Sequence, residues 1–349
     1  MMNCLNSWKP GAAMIAVNFA FAVANILFKM VLNRGVNQLV LTTYRQSISA
    51  IFLVPIGCGM ERKSYKKLTA FTFCALFFSG LIGGALTLNL FLIGLKYTST
   101  SFACAFINIV PINTFLLALL FRQERINMKC KSGKAKVLGT LICLIGAIVL
   151  TLYKGKPLTN NASSQGVEAH HNTKSWVLGS LFLFAGSLSW SSWFIIQGRV
   201  GSDYPYQYSS TSIMSFFGAI QSATFCFIID RNKSIWRLKG SLEIWTIIYS
   251  GIVGSSICYV VMSWCVKQKG PVFTSTFSPF IQIFAIVLDV SILHEQIHIG
   301  SILGSILVIV GLYVLLWGKS KEVQVCKTAP TPNKDAQTVL PVTNTPSRT

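Results

Sequence analysis

The chain has 349 residues, 52% of them hydrophobic and only 11% charged, where an ordinary soluble domain carries about 25% charged residues. That balance excludes a water-soluble coat. The formal charge of +20 would point to nucleic acid in a soluble protein. Here Lys and Arg gather between apolar runs, as they do where cytoplasmic loops hold a membrane protein's orientation, and no nucleic-acid partner is expected.

Residues 1–10 form a short N-terminal segment with a single Lys, Lys9. The apolar run behind it lacks a clear small-residue cleavage site, so it reads as a retained span. A span needs about 20 mostly apolar residues to cross roughly 30 Å of hydrocarbon. Such stretches follow one another at 11–32, 37–58, 70–95, 99–120, 135–153, 177–196, 207–229, 242–266, 272–293 and 300–317. Tight punctuation such as Asn33-Arg34-Gly35 and Lys269-Gly270-Pro271 separates several of them, so sequence neighbours run antiparallel. The expected fold class is an all-α integral membrane protein of ten transmembrane helices. Seven Cys (Cys58, Cys74, Cys104, Cys143, Cys226, Cys258 and Cys265) lie within apolar runs without metal-type spacing and read as small packing residues.

The basic loops set direction. Glu61-Arg62-Lys63 with Lys66 and Lys67 lies between spans 2 and 3, and Arg122 to Lys136, with six basic residues and one Glu, between spans 4 and 5. Both belong on the cytoplasmic side, which places residues 1–10 inside. The polar loop 154–175 then faces away from the cytoplasm, where Asn161-Ala162-Ser163 makes Asn161 a glycosylation candidate. The tail 319–349, rich in Thr, Pro and Lys, is expected to be cytoplasmic and disordered. Arg231, Lys233, Arg237 and Lys239, between spans 7 and 8, run against this topology, and composition offers no account of them.

Displacing the sequence by 171 residues pairs Gly80 with Gly251, Gly83 with Gly254, Lys96 with Lys267, Phe102 with Phe273, Phe106 with Phe277, and Glu124 with Glu295. A displacement shorter by six pairs Gly139 with Gly304, Gly146 with Gly311, and Lys154 with Lys319. The chain therefore reads as two five-span units, 11–153 and 176–318. Because five is odd, the second unit enters from the opposite side, giving the inverted repeat of many secondary carriers. The loop after Glu295 lacks the Lys and Arg found after Glu124, as a loop moved to the outer face should.

Ionisable residues at a helix centre cost about 2.5–3.5 kcal/mol on the mildest insertion scale, so they face the bundle interior or a watered cavity. Asn18, Asn25 and Lys29 share a stripe of span 1; Gln38, Thr42, Arg45 and Ser49 share one on span 2; Ser275, Ser278, Gln282 and Asp289 share one on span 9. Three such stripes predict a central hydrophilic pathway with Asn18, Asn25, Lys29, Thr42, Arg45, Ser278, Gln282 and Asp289 as its candidate residues. Each has a plainer alternative. Lys29 snorkels to headgroups, Arg45 forms an internal ion pair, and Asp289 either couples protons or pairs with a polar neighbour. Glu124 and Glu295 read as helix-start charges, and Trp190 and Trp193 either stack on solute or pack. Spans 5 and 10, with Gly139, Gly146, Gly304 and Gly311 spaced for close contact, read as scaffold.

His294-Glu295-Gln296-Ile297-His298 matches the zinc-hydrolase pattern His-Glu-x-x-His. A membrane-embedded metallohydrolase is therefore one alternative function and a non-transporting receptor another. The repeat accounts for Glu295 without a metal, and no enzyme activity or cofactor is expected.

Leu95-Lys96-Tyr97-Thr98-Ser99, Tyr44-Arg45-Gln46, Lys136-Val137-Leu138-Gly139-Thr140 and Leu152-Tyr153-Lys154-Gly155 occupy the first half. Gly270-Pro271-Val272-Phe273, Phe277-Ser278-Pro279, Gly311-Leu312-Tyr313 and Trp317-Gly318-Lys319 occupy the second. Over about residues 11–319 these motifs resemble the plant nodulin-21-like, EamA-type transporters of the drug/metabolite transporter superfamily, also called walls-are-thin-related or usually-multiple-acids-move-in-and-out proteins. The resemblance implies ten spans in two EamA-like repeats and a cavity built from spans 1–4 and 6–9. It further implies transport of amino acids, auxin-like compounds or related organic solutes across a plant plasma or vacuolar membrane. Expected partners are the bilayer and a small organic solute, with protons as the candidate coupling ion and a homodimer as the candidate assembly.

Overall fold

The structure, a computed structural model, describes residues 2–61, 68–98, 100–123, 131–153, 173–229, 233–238, 240–293, 300 and most of 303–318. Its regular elements are all helical: α1 (Met2–Asn33), α2 (Gln38–Met60), α3 (Ala70–Ser79), α4 (Thr87–Tyr97), α5 (Thr100–Leu120), α6 (Lys131–Leu152), α7 (Thr173–Asp203), α8 (Gln207–Ile229), α9 (Ser241–Tyr249), α10 (Cys258–Lys269), α11 (Pro271–Ser275) and α12 (Pro279–Leu293). Residues between 303 and 318 add further helical turns. Among the described residues, seven helices are long and apolar enough to cross a bilayer: Trp8–Leu32, Gln38–Met60, Ala70–Leu95, Trp176–Asp203, Gln207–Ile229, Ser241–Lys269 and Pro271–Leu288. Ile51, Ile229 and Trp245 are 73%, 71% and 67% exposed, a surface that only lipid covers at low cost. The protein is a multi-pass integral membrane protein.

Two of these rods contain a widened turn. Gly80–Leu86 joins α3 to α4, and Ser250–Ile257 joins α9 to α10, both as π-helix, a form that is rare and gathers at functional sites. A hydroxyl braces each one. Thr87 Oγ1 donates to the Ile82 carbonyl at 2.6 Å and Ser256 Oγ to the Gly251 carbonyl at 2.9 Å. Each π segment also packs on a helix from the far half of the sequence. A Cβ on Gly80 would lie 2.7 Å from the Met214 carbonyl oxygen of α8, and one on Gly251 would lie 3.1 Å from the Arg45 carbonyl oxygen of α2. Glycine is what permits both approaches.

α2 and α8 pack along their length through small residues. Ser49 Oγ lies 3.0 Å from Ser215 Oγ, Ser212 Oγ donates to the Ala50 carbonyl at 3.2 Å, and Ser49 Oγ donates to the Ser255 carbonyl of the second π segment at 2.9 Å. At one end of this seam the Glu61 carboxylate accepts from the Tyr208 and Ser209 amides at 3.1 and 3.0 Å and from the Ser209 hydroxyl. It caps α8 from the far side of the seam. The close contact expected of the glycine-rich spans is present as well: a Cβ on Gly139 would lie 2.8 Å from the Gly311 carbonyl oxygen.

Three local features differ from the sequence expectation. The helix begun at Thr173 continues to Asp203, past the expected end at 196, because the polar run Gln197-Gly198-Arg199 still has helical partners. Span 9 is broken: α11 ends at Ser275 and α12 starts at Pro279. The cause is Pro279, which offers no amide and disfavours helical backbone at Ser278. The basic connection before α9 includes a 3-10 turn, Lys233–Trp236. Its Trp236 stacks on Phe227 with centroids 5.3 Å apart and accepts at its carbonyl from Tyr44 Oη at 3.1 Å.

Candidate functional site

The inward stripe of α2 is the starting point. Thr42, Arg45 and Ser49 are 2%, 7% and 0% exposed, and Gln38 is half-buried with an unpartnered Oε1. The Arg45 guanidinium stands 5.6 Å from the centroid of the Phe28 ring and faces the Tyr259 phenol. Its Nε has no hydrogen-bond partner, and among the described residues no Asp or Glu forms an ion pair with it. Gln46 Oε1 on α2, and the Thr246 and Ser255 hydroxyls on the rod opposite, are buried acceptors without a donor. The Arg45 Nε and the Thr246 and Ser255 hydroxyls thus stand without partners where α2 meets α9 and the second π segment, at a depth where such groups normally have them, whereas the Gln46 amide lies toward Gly84 and Gly218.

Tyr259 ties this region to an aromatic cluster. Trp193, fully buried, meets Tyr259 edge-on at 5.1 Å and stacks on Trp190 at 5.2 Å. Its indole edge fills the space where Gly83 of the first π segment lacks a side chain. One helical turn further along α7, Gln197 Nε2 donates to Ser79 Oγ at 2.8 Å, and Gln197 Oε1 accepts from Ser263 Oγ at 3.1 Å. Ser79 Oγ and Trp193 Nε1 both point at Met214 Sδ, at 3.2 and 3.3 Å. A single side chain of α7 therefore joins α3 and α10, beside a methionine of α8.

The remaining candidates separate. Ser278 is buried, and Gln282 Oε1 accepts from Asn108 Nδ2 of α5 at 2.6 Å. Asn18 is buried but donates within its own helix, to the Met14 carbonyl at 2.7 Å. Asn25 and Lys29, on the same stripe, are exposed. A shared stripe fixes direction around the axis, whereas what covers that face changes along it. Asp289 falls on α12 with its side chain outside the described residues, as are Asn161, Glu124, Glu295, His294 and His298. Among the described residues no group of His, Cys, Asp and Glu could hold a metal ion.

Sequence reasoning missed Gln197, Tyr259, Ser263 and Ser79. Gln197 was assigned to a loop because the expected span ended at 196. The spacing Ser255, Tyr259, Ser263, each four residues on, is a polar stripe on span 8 legible in the sequence.

A helical bundle that turns apolar residues to lipid and keeps a cation, hydroxyls and amides buried among aromatics belongs to the class of multi-pass solute carriers. The EamA-like transporter family matches residues 9–152 and 177–317, and the chain belongs to that family, within the drug/metabolite transporter superfamily. Two WAT1-related proteins of Arabidopsis thaliana are similar to it. One is 49% identical over 322 residues, covering 90% of this chain and 88% of the relative; the other is 47% identical over 321 residues, with 90% and 88% covered. A protein of known crystal structure shares the fold at a TM-score of 0.62 and 17% identity, covering 86% of this chain and 97% of its own. The protein is a membrane transporter of solutes.

Proposed function

We propose that the transporter carries small organic acids or zwitterions such as amino acids or auxin-like carboxylates, with Arg45 as the group that receives the carboxylate. The observation that carries this reading is the buried Arg45 guanidinium with a free Nε and no carboxylate paired to it among the described residues. Removing one partner of a buried ion pair typically costs about 3–5 kcal/mol, and an anionic solute supplies the missing partner. Phe28, Tyr259 and Trp193 offer apolar walls, while Ser255 and Thr246 offer hydroxyls for a solute's polar groups. Transport proceeds by alternating access between two inverted five-span units, 11–153 and 176–318.

Three things support the ten-span inverted reading. The π segments begin at Gly80 and Ser250, nearly the 171-residue displacement that relates the two halves; each packs on the second span of the opposite half; and the family matches the chain in two stretches. The N-terminus is then cytoplasmic, the host membrane is the plasma or vacuolar membrane, and protons are the coupling ion with Asp289 as their candidate carrier. A homodimer is the assembly proposed.

The experiment is uptake of labelled amino acids and aromatic acids into proteoliposomes, with and without a pH gradient. Arg45→Gln is expected to raise KM at least tenfold for every carboxylate transported while the protein stays folded. Unchanged affinity and rate in that variant would exclude Arg45 as the carboxylate receptor.

A further inference from the structure

Resting on the alternating-access reading, we infer that Gln197, backed by Trp193, is a gate residue closing the solute pathway toward the end of the bundle that carries Glu61. Gln197 is 3% exposed and uses both ends of its amide, Nε2 to Ser79 on α3 and Oε1 from Ser263 on α10. The elements it joins come from both halves of the sequence, so any rocking of one half against the other must act on this node. All of its bonds are neutral and run between side chains, each worth about 0.5–1.5 kcal/mol net, a strength that thermal motion breaks and water replaces. Met214 completes the plug as a deformable neighbour: its sulfur receives Ser79 Oγ and Trp193 Nε1, and lies 3.4 Å from Gln197 Nε2. Above the node, Trp193 and Tyr259 meet edge-on, and Tyr259 Oη reaches back to the Gly83 carbonyl at 3.4 Å. The gate is thus an amide layer under an aromatic layer, between the Arg45 region and the Glu61 end. At the far end of the bundle the polar stripe of α1 is open to its surroundings, with Asn25 and Lys29 exposed. The structure is closed at the Gln197 end.

The test places a single cysteine at Phe21, a half-buried α1 residue whose ring meets Tyr259 at 6.1 Å on the Arg45 side of the gate, in a background freed of the native cysteines. Membrane-impermeant thiol reagent is added to proteoliposomes from the Glu61 side alone, without solute. Gln197→Ala is expected to speed labelling from that side about tenfold, the shift that loss of two ordinary neutral hydrogen bonds brings. Gln197→Met, which keeps volume without the bonds, and Ser79→Ala, which removes one acceptor, are expected to give smaller increases and serve if the alanine variant fails to fold. Labelling from the Glu61 side that stays at the parent rate in folded Gln197→Met and Ser79→Ala protein overturns the gate. Labelling without solute reads the gate alone, and the carboxylate affinity of Arg45→Gln reads the binding site alone, so failure of the gate and failure of the carboxylate site give separate results.

Discussion

α2 and α8 meet along a seam of small residues, with Ser49, Ala50 and Gly57 on one side and Ser212, Ser215 and Ala219 on the other, and with hydroxyls bonded across to backbone or to one another. The contact of α7 with α3 and α10 is of the opposite kind, made by the tips of the long side chains Trp193 and Gln197. A seam of close backbones has no room for a sliding motion and loses dispersion contacts as soon as it opens. A node held by side-chain ends opens by rotamer change, with the backbones left in place. The seam is suited to a fixed spine and the node to a moving part, though both join the two halves of the chain.

Replacing Gly80 by Leu attacks the packing of the first π segment on α8, one helix of the spine. A Cβ there already falls 2.7 Å from a main-chain oxygen of α8 and 3.0 Å from the Gly218 amide, so neither neighbour yields by a rotamer change. The expected cost is about 3 kcal/mol, read as a fall in thermal midpoint in detergent and a lower yield of monodisperse protein. Tolerance of Leu at Gly80 would show that the contact of the first π segment with α8 has slack. Glu61→Ala comes next. It leaves two α8 amides and a hydroxyl without their carboxylate, and about 2 kcal/mol of stability is expected to go with it, with Glu61→Gln losing roughly half as much. A thermal shift as large in Gln as in Ala would assign the effect to the charge and not to the shape of the cap. The smallest change is Ser49→Ala. Hydrogen bonds between membrane helices average about 0.6 kcal/mol, so this variant should stay near wild type in stability and in transport rate. A loss of transport without loss of stability would move Ser49 from the spine to the moving part.

Much of the fold was legible because hydrophobic length and charge placement are read over twenty residues at a time. The run of apolar stretches, the inward stripe from Gln38 to Ser49 and the Gly139–Gly311 contact all follow from patterns of that scale. What escaped was set by one or two residues. A π turn costs no change in composition, so nothing in Gly80–Leu86 marks it apart from its glycines. The break before α12 was legible in Ser278-Pro279, yet an apolar window of twenty residues passes over it. Gln197 was lost by ending the span at 196 where the helix runs on to Asp203. Asn25 and Lys29 share the stripe of Asn18 but are exposed where it is buried, a change of covering along the helix that periodicity does not carry.

The π segments carry a consequence for how such a chain can change. A π turn is an α-helix with one surplus residue, and each residue advances the helix about 100°. The faces before and after Ser250–Ile257 are therefore out of phase, so that Gly251 meets α2 while Tyr259 is aimed at Trp193 of α7. Loss of one residue from this segment would shorten the rod by about 1.5 Å, too little to disturb its fit to the bilayer, while turning every side chain beyond it to a new neighbour. A single-codon deletion at either π segment would return the rod to regular α-helix while rewiring the interior beyond it and leaving the topology intact.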